Sequence, residues 1–175
     1  IIRRVSMRYI AGDRLDDAIV TAARLEQQEK AWSTIDVLGE SVTQAAEAIR
    51  MAESYLGLLD AIDQNSLRAS ISLKLTALGL KVDSALCRSL TARVLSDAEA
   101  RGIFVRIDME DSSTTDDTLE LYRSLRAEGH EGVGIVFQAA LRRTLFTNTD
   151  WSLIRTCPAP ILLAKGGDWP AVRWG

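Results

Sequence analysis

The feature that most constrains the fold is a regular alternation of short apolar runs with longer amphipathic segments. Runs rich in β-branched and other apolar residues begin near residues 33, 70, 103, 132 and 161, so they are spaced 37, 33, 29 and 29 residues apart. Each interval has room for one strand and one returning helix. Repeated units of that kind, joined by right-handed crossovers, form a parallel sheet covered by helices. The sequence therefore predicts an α/β fold with about five parallel strands and alternating helices.

The intervals carry helix patterns with recognisable ends. The predicted helices are Asp16 to Gln28, a long helix after Ser41, a helix from Asp83 or Ser84 to a stop at Gly102, one from Thr114 or Thr115 to Gly129, and a weaker one from about Asp150 to Thr156. The long helix is expected to bury a single stripe of side chains. That predicted stripe consists of Val42, Ala46, Ile49, Ala52, Leu56 and Leu59.

The third apolar run, Ile103 to Asp111, has two unlike faces. Apolar side chains alternate with charged ones along it: Val105, Ile107 and Met109 on one face, and Arg106, Asp108 and Glu110 on the other. A strand covered by protein on both sides is apolar throughout, so a charged face indicates a polar cavity, a ligand or water on that side. We expect the functional site there.

Polar residues lie at or near the predicted carboxyl end of each strand: Asp36, Lys74, Asp108, Gln138 and Lys165. Doubly wound sheets and barrels both place ligands at this edge, but polar groups converging from every successive strand favour a closed ring. We predict a partial (β/α)8 TIM-type barrel, because a complete one usually takes about 250 residues. The open edge of such a partial sheet could pair with another chain, which leaves self-association as one possibility.

Lys74 lies between Leu73 and Leu75, and an ammonium group in such surroundings needs a partner or solvent. Asp108 is its predicted partner. The pair could be a structural ion pair or could bind a ligand, and both roles stay open at this point. Glu110 and Asp111 are predicted to form the acidic entry of the next helix, favoured by the helix dipole.

Several classes of function are excluded by the sequence. The formal net charge of -3 and the lack of a basic cluster argue against nucleic-acid binding, and no apolar run reaches the length of a transmembrane segment. No phosphate-binding loop, nucleophile elbow or metal motif is present. Two cysteines without a CxxC motif, and opening residues unlike a signal peptide, predict a reducing, cytoplasmic location.

Five segments together resemble the first half of the proline dehydrogenase family, in the usual order and spacing. They are MRYIAGDRLDDAI, TIDVLGESVT, SISLKLTALGL, FVRIDMEDSSTTDDTLELYRSLR and VGIVFQAALRRT, and the resemblance covers roughly residues 8 to 144. KLTALGL and RIDMEDS are the specific motifs. The resemblance implies a barrel that holds FAD and passes a hydride from L-proline to the flavin, giving pyrroline-5-carboxylate.

The resemblance also implies roles for individual residues. Lys74 would stand near proline and the flavin, and Asp108 would be the acidic group that orders the substrate. Met109 and Gln138 would touch the flavin, although the Gln138 amide could equally cap a loop. In a run that resembles the family's fifth strand, Lys165 and Gly166 align with cofactor-binding positions.

The sequence departs from the family pattern toward its end. Leu162 stands where the family has an arginine, while Asp168 and Ala140 each replace a tyrosine. Residues 145 to 170 look like the ending of a universal stress protein, so we predict a divergent tail at 145–175 after a partial barrel at 1–144. The chain is therefore expected to be an incomplete proline dehydrogenase with weak activity or none. The alternative is a non-catalytic nucleotide-binding module organised by the tail.

Overall fold

The computed structural model of the protein describes residues 11, 14–39 and 42–136. Helices and strands alternate through them in the order α1 Leu15–Glu29, β1 Ser33–Asp36, α2 Ala45–Gln64, β2 Ala69–Leu73, α3 Ser84–Ala100, β3 Val105–Ile107, α4 Thr115–Ala127 and β4 Val133–Ile135. The elements predicted in this part of the chain are confirmed, with ends that shift by a few residues. The helix predicted near residue 150 and the fifth strand lie outside the described residues.

The four strands form one parallel sheet in the order β1-β2-β3-β4. Its register places Asp36 opposite Ser72, and Ser72 opposite Arg106. A doubly wound sheet reverses its direction of growth at a switch point, whereas each strand of a barrel pairs with the next one in the chain. The observed order therefore agrees with the predicted barrel.

The hydrophobic core lies between one face of this sheet and the helices. Alternate residues of the strands belong to it, namely Ile71, Leu73, Val105, Ile107, Val133 and Ile135. The intervening positions carry Ser72, Arg106 and Gly134, which are paired across the sheet. The predicted two-faced character of the third strand is therefore confirmed, and the polar face is the side away from the core.

Helix α2 buries a different stripe from the predicted one. Its buried residues are Ala48, Ala52, Tyr55, Leu58, Leu59 and Ile62, whereas Ile49 is 44% exposed. Ala52 and Leu59 belong to both stripes. Val42 precedes the helix, which begins at Ala45, so counting from Val42 rotates the predicted stripe around the helix axis. The observed stripe places Tyr55 in the core.

A hydrogen-bonded turn holds β4 in place. The Gly132 N–H donates to the Glu99 carboxylate (2.9 Å), and His130 Nδ1 lies 3.0 Å from the other carboxylate oxygen. Burial alone would raise the pKa of Glu99, but these contacts outweigh it and lower that pKa. A Cβ atom at Gly132 would lie 3.0 Å from Cγ of Glu99, so this turn leaves little room for a side chain.

Cys87 of α3 is a core residue, and we expect its thiol to be unreactive in the folded chain. Its side chain is fully buried, and burial raises the pKa of the thiol to about 12. The thiolate fraction near pH 8 is therefore very small. Alkylation should be about a hundredfold slower in the native chain than in urea, because the reagent must wait for local opening. Peptide mass spectrometry will report Cys87 separately from Cys157, and equal rates in both conditions would contradict the burial.

None of the helices in residues 14–39 and 42–136 is both long and apolar enough to cross a bilayer.

Candidate active site

Side chains from three successive strands converge at the carboxyl edge of the sheet. Asp36 ends β1, while Lys74 and Asp108 directly follow β2 and β3. The Lys74 ammonium forms a salt bridge with Asp36, and its Nζ atom lies 3.9 Å from Oδ2 of Asp108. The parallel arrangement causes this convergence, since it brings the carboxyl ends of neighbouring strands to one edge.

The predicted contact between Lys74 and Asp108 is present, but Asp36, which was predicted to lie at this edge without a stated partner, is the closer of the two acids. β2 lies between β1 and β3, so a lysine at its end can be reached by an acid from either side. The sequence did contain a signal, because Asp36 also ends its strand. The sequence does not show which of the two flanking acids lies closer to the Lys74 ammonium.

The cluster is partly shielded from solvent and carries an excess of negative charge. The side chain of Lys74 is 14% exposed, and those of Asp36 and Asp108 are 32% and 31% exposed. Two carboxylates therefore share one ammonium group in a region where charges interact more strongly than in bulk water. Such a site favours a positively charged ligand group beside the less closely paired acid, Asp108.

Glu110, on the same face of the β3 segment as Asp108, holds the loop after β2 that follows Lys74. The Thr76 main-chain N–H donates to Oε2 of Glu110 (3.0 Å), and the Thr76 hydroxyl donates to the other carboxylate oxygen. The prediction that Glu110 belongs to the entry of the next helix is therefore wrong. The alternation of β3 continues beyond its last residue, which directs Glu110 toward the loop after β2 instead of toward α4.

Asp111 does lie at the entry of α4. Its main-chain carbonyl accepts hydrogen bonds from the hydroxyls of Thr114 and Thr115, each at 3.1 Å. Its carboxylate accepts from Ser113 and pairs with Lys81 at 2.9 Å. These contacts, the Ser113 hydrogen bond first, lower the pKa of Asp111 to about 2. The predicted acidic helix entry is thus confirmed for Asp111 alone.

Of the remaining predicted site residues, the structure describes only Met109, which is not part of this cluster. Met109 is 1% exposed and belongs to the hydrophobic core, so its contact with a flavin stays a prediction. Gln138, Lys165 and Gly166 lie outside the described residues. In the part of the chain that the structure describes, no group of three or more His, Cys, Asp or Glu side chains could hold a metal ion.

Taken together, the sequential parallel sheet and the polar cluster at its carboxyl edge are those of a partial TIM-type α/β barrel. Comparison with known proteins gives its family. The family model described as "Proline dehydrogenase" matches residues 18–170, and the chain belongs to this family.

Individual relatives agree with the family match. Proline dehydrogenase 1 of Bacillus subtilis (strain 168) is 38% identical over 136 residues, which are 78% of this chain and 44% of that protein. Proline dehydrogenase of Deinococcus radiodurans is 32% identical over 142 residues, covering 79% of this chain and 46% of that protein. The chain thus spans about half the length of the curated relatives it matches.

A solved structure supports the fold. Proline utilization A from Bdellovibrio bacteriovorus, inactivated by N-propargylglycine, matches with a TM-score of 0.69 and 22% sequence identity. The match covers 78% of this chain and 17% of that one.

The comparisons test one of the two predictions made for the tail and leave the other open. The family match extends through residue 170, and these comparisons give no support to the alternative of a universal-stress-like nucleotide-binding module. The division near residue 144 stays a prediction.

Proposed function

We propose that this chain forms the part of a proline dehydrogenase that presents Lys74 and Asp108 to L-proline and FAD. In the proposed reaction L-proline is oxidised to pyrroline-5-carboxylate. The single observation that carries the proposal is the cluster of Asp36, Lys74 and Asp108 at the carboxyl edge of the sheet. Family membership supplies the reaction, and the cluster supplies groups whose chemistry suits it.

The unequal pairing within the cluster suggests different roles for its two acids. Asp36 takes the direct salt bridge with Lys74 and so holds the ammonium group in place. Asp108 lies 3.9 Å from the same ammonium, so its charge is less fully compensated. In the proposal, Asp108 attracts the positively charged ring nitrogen of proline, while Lys74 attracts the proline carboxylate.

The residues at this edge fit a flavin. The isoalloxazine ring has carbonyl oxygens and ring nitrogens that accept hydrogen bonds, and the Lys74 ammonium is a donor to such atoms. The neighbouring side chains on the same face of β1 and β2 are short, being Thr34, Ser70 and Ser72. Met109, Gln138, Lys165 and Gly166 keep the flavin-binding roles predicted from the family resemblance.

A bound flavin would supply the electron-pair acceptor that no amino-acid side chain provides. The protein's own part is to hold proline so that a hydrogen on Cδ, the ring carbon beside the nitrogen that does not carry the carboxylate, faces that acceptor. Loss of one N–H proton to water leaves a lone pair on the nitrogen, and this pair forms the C=N bond of the product as the Cδ–H bond breaks and its electron pair passes to the acceptor. Asp108 lies at the charged edge where this nitrogen would bind.

Flavin binding and reduction test the proposal directly. We expect the purified chain to bind FAD and to remain yellow after desalting. Under anaerobic conditions L-proline should bleach the flavin absorbance slowly. Turnover with a dye should be at least about a hundredfold slower than that of Bacillus subtilis proline dehydrogenase 1, because replacing an oxyanion-type donor such as the missing arginine at Leu162 typically costs that much.

Two controls keep the result specific. D-proline should leave the flavin oxidised, and Asp108→Asn should retain FAD but bleach more slowly with L-proline. A chain that takes up no FAD would contradict the proposal. Turnover equal to that of the Bacillus subtilis enzyme would instead contradict the argument from Leu162.

A further inference from the structure

Tyr55 of α2 is a polar residue in an apolar place. Its side chain is fully buried in the core, and its hydroxyl oxygen has no hydrogen-bond partner in the part of the chain that the structure describes. Buried hydroxyls without partners are destabilising, and phenylalanine would fill the same space without that penalty. An unpaired group of this kind calls for an explanation outside simple packing.

The surroundings of the hydroxyl supply the explanation. Burial raises the pKa of Tyr55, and the nearby charges of Asp36, Asp108 and Glu110 raise it further. The phenol therefore stays protonated and remains a hydrogen-bond donor at any working pH. The main-chain N–H of Lys74 lies near the hydroxyl oxygen and opposes this rise by lowering the pKa, although it does not reach full hydrogen-bond geometry. Tyr55 thus approaches the candidate active site from its core side.

We propose that Tyr55 is a positioning residue for Lys74, with its hydroxyl linking the main chain at Lys74 to the Asp36 carboxylate through one bridging water. Such a link fixes the direction in which the ammonium group leaves the end of β2. It also places a neutral donor beside a cluster in which carboxylates outnumber cations.

The ring and the hydroxyl of Tyr55 have separate tasks in this proposal. The ring belongs to the same core cluster as Ala52, Leu58 and Leu59 of this helix. The hydroxyl alone reaches the polar edge. Replacing tyrosine by phenylalanine therefore preserves the packing and removes only the positioning contact, which makes the two contributions separable by experiment.

The inference deepens the proposed function and takes its purpose from it, but its test needs neither flavin nor proline. The full chain is treated with an acylating reagent at fixed pH, and the modification rates of Lys74 and Lys81 are measured by peptide mass spectrometry. In Tyr55→Phe we expect Lys74 to react about fivefold faster than in wild type, the factor expected when a contact of ordinary strength is lost. Lys81, which is 46% exposed, should keep its rate.

Tyr122→Phe is the matched control, because Tyr122 is a buried tyrosine of α4. It should leave the Lys74 rate unchanged. A folded Tyr55→Phe chain with a wild-type Lys74 rate would overturn the proposal, even if its melting temperature fell, and so would an equal rise in Tyr122→Phe. If Tyr55→Phe does not fold, the wild-type chain decides: a nuclear Overhauser contact between Tyr55 and the Lys74 amide proton is expected, and its absence overturns the proposal.

Discussion

Replacing Lys74 by methionine and Asp36 by asparagine, singly and together, will show a coupling free energy of about 1 to 3 kcal/mol in urea unfolding. The single change at Lys74 leaves Asp36 and Asp108 without the cation they share. The double change removes one of those charges as well, so its effect will be smaller than the sum of the single effects. The value lies below that of a fully buried pair because both acids are about one third exposed to solvent.

The chain offers its own control for this cycle. Lys81 and Asp111 form an ion pair at 2.9 Å, but their side chains are 46% and 53% exposed. Solvent screens such a pair, so Lys81→Met combined with Asp111→Asn should give a much smaller coupling. Equal coupling in the two pairs would show that the barrel edge gives Lys74 no special environment.

Glu110→Ala is expected to destabilise the chain by about 2 to 4 kcal/mol. The reason is that Thr76, only 3% exposed, would lose the acceptor of both its main-chain N–H and its hydroxyl. Glu110→Gln should cost less, because its carboxamide oxygen can still accept one of these hydrogen bonds. Thr76→Val, which removes the hydroxyl and keeps the N–H bonded, should also cost less.

Urea unfolding measures these differences, and hydrogen exchange locates them. The Thr76 amide should exchange faster in Glu110→Ala than in wild type, whereas amides in the middle of α4 should change only by the global loss of stability. If Glu110→Ala were as stable as wild type, Glu110 would not be the group that fixes the loop after β2.

The elements and their order could be predicted from the sequence because they depend on local periodicity. The two faces of β3 were also predictable, since alternation of residues such as Ile107 and Asp108 has one structural meaning. The ion-pair and hydrogen-bond partners of individual side chains were harder to predict from the sequence. Asp36 was expected at this edge but not as the closest partner of Lys74, because the sequence does not rank two acids on flanking strands. Glu110 lies on the charged face, as the alternation predicts, but its assignment to the helix entry was wrong because its carboxylate binds Thr76.

Tyr55 illustrates a different difficulty. In the sequence it is an aromatic residue in a helix, where a core position is the ordinary reading. The role of its hydroxyl depends on carboxylates carried by β1 and β3, far from it along the chain. The pattern of residues within α2 does not show that these carboxylates lie near the Tyr55 hydroxyl, so its proposed role follows only from the three-dimensional structure.

The sequential order of the strands has a consequence for how the molecule is made. β1 pairs with β2, β2 with β3 and β3 with β4. When β2, β3 or β4 emerges from the ribosome, the strand with which it pairs has therefore already been synthesised, one helix earlier in the chain. Chains generally organise from the amino end during synthesis. The sheet is therefore suited to vectorial growth, with each new βα unit using the preceding one as its template.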